Sequence, residues 1–571
     1  MKNREVAAIL NELADTMELL GEDRYRVASY RDAATHVEHY TEPIENMARD
    51  NRIAQIHGIG KSIGGKIAEY LGTGRMEALE ERRNKVPPAA LTLMRIQGIG
   101  PKRAMLLAQE LRVHSVEDLQ VALESGQVAA LPRLGEKTAS SILDELRRLH
   151  TRSKRLPLAI ALPAVEQVVR ELTTCGAADA IAPAGSVRRF RDSVGDIDIL
   201  VTSSQPHKVM EAFTSLGLVK QVLSAGETRA SVLTHADLQI DLRVVPHACF
   251  GAALQYFTGS QQHNVKLREI AIRKGFKLNE YGVYQDDVSV AGETEQDVYA
   301  ALGMQWIPPE LREDSGEIEL ARKQQLPRLV ELGDIKGDLH THTRLSDGSS
   351  SVVEMLEAGA AAGYSYMAIT DHSQALGVAG GMPEDELREE HAGIRELQDQ
   401  FPKMRLLRGV EVDIHVDERL DCSDELLASC DVVVASIHSA LQKPLEVQTA
   451  RLLAAIDNPH VDIIAHPTGR LVGKRPGYEI DLAAVLDACA RTRTAIEVSG
   501  QPERLDLDAD SIRAAIERGV MLALDTDAHE QSQVGNLMRY AVGNARRGWA
   551  APGHVLNALS YDELRAWLDR R

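Results

Sequence analysis

The sequence predicts a multidomain α/β protein: a helical head, a middle region of mixed strands and helices, and a C-terminal barrel. Three observations predict it. The first 150 residues carry apolar residues at helical spacing, as in VAAILNELADTMELL, around a repeated glycine-centred segment. After Arg155, β-branched runs such as IDILV and LQIDLRVV read as strands, with helical patterns between them. Beyond residue 335, MAIT, LLRGVEV, VVVASI, DIIAH, AIEVS and MLALD alternate with helical stretches. That frequency of alternation predicts a barrel of parallel strands.

A chain of 571 residues has room for about three to four domains of roughly 150 residues each. Aromatics are only 4% of it, so aliphatic side chains must fill the cores. The formal charge of −19 argues against a simple basic nucleic-acid binder. That charge is uneven. Residues 1–155 are near neutral and suit an approach to phosphates; residues 331–571 hold a large carboxylate excess, which suits metal ions. No apolar run reaches the roughly 18 residues of a membrane span, and MKNREVAAIL has no signal-peptide core. Five cysteines without a C-x-x-C pair are expected to be free thiols in a reducing cytoplasm.

The helical head contains an internal repeat: IHGIGKSIGGKIAEYL, IQGIGPKRAMLLAQEL and a degenerate LPRLGEKTASSILDEL. Each G-x-G (Gly58/Gly60, Gly98/Gly100) precedes a helix start. Glycine permits positive φ and close backbone approach. The amides that follow form an anion site at the helix N-terminus, and Lys61 and Lys102 add charge. Such helix–hairpin–helix units would hold DNA phosphates without reading sequence.

In the middle region, GSVRRFRDSVGDIDILV places Asp196 and Asp198 two apart, on the same side of a strand. Asp241 in QIDLRVV is a candidate third carboxylate. Three converging carboxylates repel unless cations lie between them, and two divalent ions so held suit in-line phosphoryl transfer. Ser186, Arg188 and Arg189 are placed to hold a polyphosphate.

GSVRR, GDIDILV, DLRVV and YFTGS together resemble the nucleotidyltransferase core of family X DNA polymerases, such as DNA polymerase beta, over roughly residues 1–312. The resemblance implies that Asp196, Asp198 and Asp241 bind Mg2+ or Mn2+ in a palm. It implies that Gly185, Ser186 and Arg189 line the triphosphate site. Tyr256, Phe257 and Gly259 would form the turn under the incoming sugar, and Asn264 and Arg268 would touch the nucleotide and the template minor groove. Gln261-Gln262-His263 departs from the eukaryotic enzymes. The head resembles the family's lyase domain around YRVASYRDAA, and Lys66 matches its Schiff-base lysine. Ser62 stands where the family has a second lysine, and Arg26 replaces another basic position, which thins the phosphate pocket.

In the C-terminal region, potential ligands follow strands: His340, His342 and Asp347 in DLHTHTRLSDG, His372 in ITDHS, Glu411 in GVEVD, His438 in SIHS, His466 in AHP, and Asp527 and His529 in DTDAH. Ligands ending five or six barrel strands converge at the barrel's C-terminal mouth and suffice for three ions. The set resembles the polymerase-and-histidinol-phosphatase (PHP) domain, a distorted (β/α)7 barrel. That resemblance implies metal-dependent phosphoester hydrolysis with Zn2+ and/or Mn2+. Arg344, Arg470 and Lys474 are candidate phosphate clamps.

The expected organisation is a lyase-like helical domain over 1–83, a fingers-like helical domain over 84–150, a palm over 151–247, a thumb over 248–312, a linker over 313–334 and a PHP domain over 335–571. Joined, these resemble a bacterial-type family X DNA polymerase. The expected function is gap-filling synthesis on gapped or primed DNA from deoxynucleoside triphosphates, with 3′–5′ exonuclease activity and cleavage at abasic sites, by a cytoplasmic monomer. Two other readings stay open: a nuclease whose polymerase core only clamps DNA, and a scaffold carrying a small-molecule phosphatase.

Overall fold

A computed structural model of the chain describes residues 3–569 except 39–43, 50–51, 57–58, 95–98, 112, 114, 132–133, 137–138, 140–141, 144–154 and 287. It divides into two compact units, Met1–Lys154 and Arg155–Arg571.

The first unit is helical. Asn3–Leu19 buries Val6, Leu10, Leu13 and Met17, spaced three and four apart, against Val27, Tyr30, Ala34 and Val37 of Arg24–Glu38. Ile63 and Ile67 of Lys61–Thr73 complete this core. A second core gathers Leu93, Ala104, Leu107, Leu119 and Leu134. Its helix Val116–Glu124 starts at a capping box between Ser115 and Asp118, which satisfies two otherwise unpaired backbone amides.

The second unit opens on a five-stranded sheet, ordered Ala180–Pro183, Asp196–Thr202, Gln239–Val244, Arg229–Thr234 and Val219–Ala225. Only Asp196–Thr202 and Gln239–Val244 run parallel, and their register sets Asp198 opposite Asp241. A smaller subdomain follows, with helices Phe250–Thr258 and Gln261–Arg273 and a three-stranded antiparallel sheet over residues 277–291. The segment 313–334, expected as a linker, is packed instead. Ile318, Ala321 and Leu329 are buried with Leu267 and Val298, and helix Glu317–Arg322 belongs to this core. A short helix is compatible with the linker reading of this polar stretch; its burial is not, and Glu317 of that helix faces a buried histidine.

The C-terminal region is a seven-stranded parallel sheet in sequential order, Gly337–Asp338, Tyr366–Ile369, Arg405–Asp413, Val432–Ser436, Ile463–Ile464, Ala495–Ser499 and Leu522–Asp525. Its strands are buried on both faces, which explains the near-continuous apolar runs. Side chains close the seam between the first and last strands. Asp525 accepts the Leu339 amide at 2.8 Å, and Asp338 accepts the Thr526 amide and hydroxyl at 3.1 and 2.6 Å. Leu505 and Tyr540 from this region pack into the core of the five-stranded sheet.

Candidate functional site

Among the described residues of the second unit, two groups of side chains are candidate metal sites. The first lies on the five-stranded sheet. Asp198 is held between Asp196 and Asp241; burial and these two carboxylates push its pKa up to about 7. A carboxyl group driven toward protonation by its own neighbours is a donor set suited to divalent cations. Gln239 donates to Asp241 at 3.0 Å and orients it. Gly185 sits at φ +69°, and a Cβ there would lie 3.4 Å from Asp198 Oδ2, so glycine serves both conformation and access. Ser186 lies in the helical turn Gly185–Arg188 that follows.

Sequence reading placed both following arginines on a polyphosphate. The structure corrects this for Arg188, whose guanidinium makes a bidentate pair with Glu295 at 2.8 Å and a bond to Thr258 Oγ1 at 2.6 Å. Glu295 also takes Arg312 and the Trp306 indole. Burial opposes its charge, yet the two arginines hold its pKa down at about 2. Arg188 therefore positions the turn. Arg189 donates to the Thr258 carbonyl and pairs with Glu313 at 3.1 Å, which ties it to the Gly259 turn. Tyr256 and Phe257 meet edge to face, and Arg243 lies over the Phe257 ring. Asn264 donates to the Tyr256 carbonyl at 2.7 Å; Arg268 is exposed one helical turn later. His263 is a core residue between Glu317 and the Tyr299 hydroxyl, at 2.7 and 2.9 Å.

The second cluster lies at the C-terminal ends of the parallel strands. Glu411 is its hub. Its Oε2 lies 3.0 Å from His372 Nδ1, 3.2 Å from His340 Nε2 and 3.3 Å from His342 Nε2. Its Oε1 lies 3.0 Å from His466 Nε2 and 3.4 Å from His438 Nε2. Asp527 faces His342 at 3.3 Å, and Asp347 spans His529 and His372 at 3.2 and 3.5 Å. All nine residues singled out in the sequence are thus brought together. Three overlapping groups have ligand atoms close enough to share a cation: His342/Asp347/His372/His529, His340/His342/Asp527 and His372/Glu411/His438.

The geometry fits bound cations. The Nε2 atoms of His340 and His342 are 3.0 Å apart beside two carboxylates. Burial disfavours charge on His372 and His529, but Glu411, Asp347 and Asp527 raise their pKa values to about 10 and about 9. Positive charge is what this cluster attracts. His466 and Asp527 are two of the non-glycine residues that adopt positive φ, at 28° and 51°.

Sequence reading missed the residues behind these ligands. Glu497, on the strand that supplies no ligand, accepts from His340 Nδ1 at 2.7 Å and from the His466 amide at 2.6 Å. Asp413 accepts the His438 amide at 3.1 Å. Arg504 lies 3.9 Å from Asp527 with its side chain partly exposed, so a cation faces the cluster's edge. In the sequence, Arg504 is legible only as one more arginine in PERLDL. Of the expected clamps, Arg344 is exposed, 3.9 Å from Glu354, and Lys474 pairs with Glu503. Arg470 is consumed by the carbonyls of Arg504 and Leu505 and by Asp192, so it joins the barrel to the sheet.

In the helical unit, Gly58 and Gly98 lie outside the described residues. Gly60 and Gly100 are helix N-caps at φ −82° and −77°, so the positive φ that glycine permits is not used there. Space is open where a Cβ would stand, and Lys61 and Lys102 are exposed beside it. Lys66 donates to Ser62 Oγ at 3.1 Å and lies 5.9 Å from the Tyr30 ring centroid. Ser62, the departure from the family, thus contacts the amine directly.

Residues 1–76 match the helix-hairpin-helix domain family, 90–148 the SAM-like helix-hairpin-helix tandem, 253–313 the DNA polymerase beta thumb and 338–500 the PHP domain. The chain is 38% identical over 577 aligned positions to the DNA polymerase/3′-5′ exonuclease PolX of Bacillus subtilis (strain 168), with all of both chains covered. It is 26% identical to DNA polymerase lambda of Arabidopsis thaliana, over 54% of this chain and 62% of that protein. A probable phosphatase of Thermoanaerobacter sp. (strain X514) is 32% identical, over 35% of this chain and 80% of that protein. With similarity running the full length of both chains and a helical, thumb and PHP region each matched in order, the chain belongs to the PolX family, family X DNA polymerases with a C-terminal PHP domain.

Proposed function

We propose that the chain is a DNA-directed DNA polymerase and 3′–5′ exonuclease that fills short gaps during repair, as a monomer in the cytoplasm. One observation carries the reading: three carboxylates on the five-stranded sheet and a cluster of nine potential ligands in the barrel stand on separate folds of one chain. Asp196, Asp198 and Asp241 would hold Mg2+ or Mn2+, and the nine-residue barrel cluster up to three Zn2+ or Mn2+ ions. Bound divalent ions would supply charge neutralisation at the transferring phosphorus and acidify the nucleophile.

The protein's own groups do the rest. The Gly185–Arg188 turn presents backbone and Ser186 to a triphosphate, and the Arg188–Glu295 pair fixes that turn against Thr258. Tyr256 and Phe257 form the platform for a sugar, with Asn264 pinning its backbone. In the barrel, Glu497 fixes the His340 ring, and Arg504 neutralises a phosphate oxygen at the rim. The hairpins at Gly60 and Gly100 would hold duplex phosphates. Lys66 is proposed to serve an abasic-site lyase, and the barrel to cleave at abasic sites.

The test uses a 5′-labelled gapped duplex with manganese, with and without deoxynucleoside triphosphates. Extension with nucleotides and shortening without them are expected. Shortening alone would leave a nuclease with a DNA clamp, and neither activity on DNA would favour the phosphatase reading.

A further inference from the structure

Between the five-stranded sheet and the barrel runs a groove of about 740 Å3 whose lining includes no residue of either ligand cluster. One wall is Arg155 with Asp192 and Ser193; the other is the barrel loop over residues 468–478. Its ends are informative. Ser193 opens the short strand Ser193–Val194, which leads through Gly195 into Asp196. Thr468 stands two residues after His466 and is fixed by Asp506, which accepts its amide at 3.0 Å and its hydroxyl at 2.9 Å. The groove therefore runs between a strand that leads into the carboxylate group and a loop that follows a barrel ligand.

Its charge runs against that of the chain. Arg155, Arg470, Lys474 and Arg475 line it against Asp192 and Asp508, in a protein of net charge −19. The two carboxylates are engaged, Asp192 with Arg470 at 3.4 Å and Asp508 as the N-cap of Ala509–Glu517. Arg155 is held by the Ser193 hydroxyl and carbonyl, and Arg475 by the Gly469 carbonyl. Among the described residues, no carboxylate lies within ion-pair distance of either. A guanidinium steadied by neutral acceptors keeps its full charge and spare donors, the arrangement that suits phosphate. No exposed aromatic ring lines the groove, since Tyr478 is half-buried with its hydroxyl inside the protein. Recognition there is of backbone charge, not of bases.

We propose that this groove binds the sugar–phosphate backbone of single-stranded DNA, with Arg155 and Arg475 as its phosphate contacts, and leads that strand to the PHP centre. The proposal rests on the dual activity proposed above. Its volume of about 740 Å3 suits a few nucleotides of one strand.

The experiment compares the full-length protein with the double variant Arg155→Ala/Arg475→Ala. Three readouts are needed: hydrolysis of bis(p-nitrophenyl) phosphate, exonuclease kinetics on a 5′-labelled 20-nucleotide single strand, and binding of that strand and of a blunt duplex in chelator. The variant should raise KM for the single strand about tenfold, flatten its salt dependence by about two phosphates, and leave kcat and the small diester unchanged. The variant Arg155→Lys/Arg475→Lys should recover part of the affinity, because charge alone supplies part of the contact. An unchanged KM and salt slope would overturn the groove while leaving the exonuclease reading intact. Equal losses for duplex and single strand would overturn its single-strand preference. A wild-type protein that hydrolyses the small diester but no DNA strand would overturn the functional reading and the groove with it.

Discussion

Phe190 of the nucleotide-side turn packs against Gly543 of the barrel helix Met538–Arg547, so closely that a Cβ on Gly543 would lie 2.4–2.6 Å from three ring atoms. Phe190 adopts φ +57°, and its ring stands 6.1 Å from that of Tyr540. The residue directly after Arg189 is thus seated in the PHP region. Gly543→Val should displace the ring, at an overpacking cost of about 1–3 kcal/mol, and shift the Arg188–Arg189 turn. The expected result is a raised KM for deoxynucleoside triphosphates with exonuclease kcat preserved. Adding Phe190→Ala should restore the KM. Equal damage to both activities would point to general destabilisation instead.

Asp241→Ala should abolish primer extension and leave strand degradation intact. The carboxylate lies across from Asp198 on the neighbouring strand, and losing one metal carboxylate removes several kcal/mol of transition-state stabilisation. Steady-state incorporation with magnesium checks it; extension at the wild-type rate would remove Asp241 from the polymerase centre.

The legibility of these sites in the sequence follows the range of the interactions. Asp196 and Asp198 share a strand, and most barrel ligands lie at or just beyond a strand end, so period and motif reveal them. Arg188 was misread because its partner, Glu295, is 107 residues away and nothing local distinguishes a phosphate-binding arginine from a buried ion pair. Glu497, Arg504 and the Phe190–Gly543 contact depend on which strands become neighbours, and this pattern carries no local signal. The 313–334 segment was read by its polar composition, while its sparse apolar residues, Ile318, Ala321 and Leu329, decided its burial.

Gly60→Val and Gly100→Val should fold normally, because both sites have extended backbone and open space for a side chain. They should nevertheless weaken duplex binding for all sequences alike, with a smaller salt slope, since a branched side chain keeps phosphate from the helix amides. Binding titrations over a range of salt concentrations provide the check. Loss confined to particular sequences would contradict phosphate clamping.

Glu295 should make the nucleotide side of the molecule acid-labile. Its pKa is depressed from an ordinary 4.5 to about 2: burial works against the charge, and Arg312 and Arg188 outweigh burial. A depressed carboxyl pKa contributes stability that is fully present above pH 4.5 and is lost as pH falls toward 2. Glu295→Gln should remove that contribution and strand two arginines, at a cost of about 3–5 kcal/mol. Acid titration followed by tryptophan fluorescence reads it, since Trp306 donates to Glu295 at 3.0 Å. A variant with the wild-type acid transition would show that the pair is not stabilising.

Glu411→Ala should empty most of the barrel centre, while His342→Ala should weaken it in part. Five imidazoles approach the two oxygens of Glu411 within 3.0–3.4 Å, so its removal leaves the histidines with no shared counter-charge. His342 contributes one nitrogen to two of the three ligand groups, and its loss still leaves Glu411, Asp527 and Asp347 in place. Loss of a ligand should lower affinity by at least the 10–100-fold typical of losing even a ligand's supporting partner. Excess manganese should therefore partly restore exonuclease activity to His342→Ala and fail with Glu411→Ala. Extension should survive in both, because the polymerase carboxylates stand on a different sheet. Elemental analysis of the purified proteins, beside degradation of a labelled strand, separates a ligand from a bystander. If Glu411→Ala keeps wild-type metal content and full exonuclease activity, the nine residues do not form a metal centre.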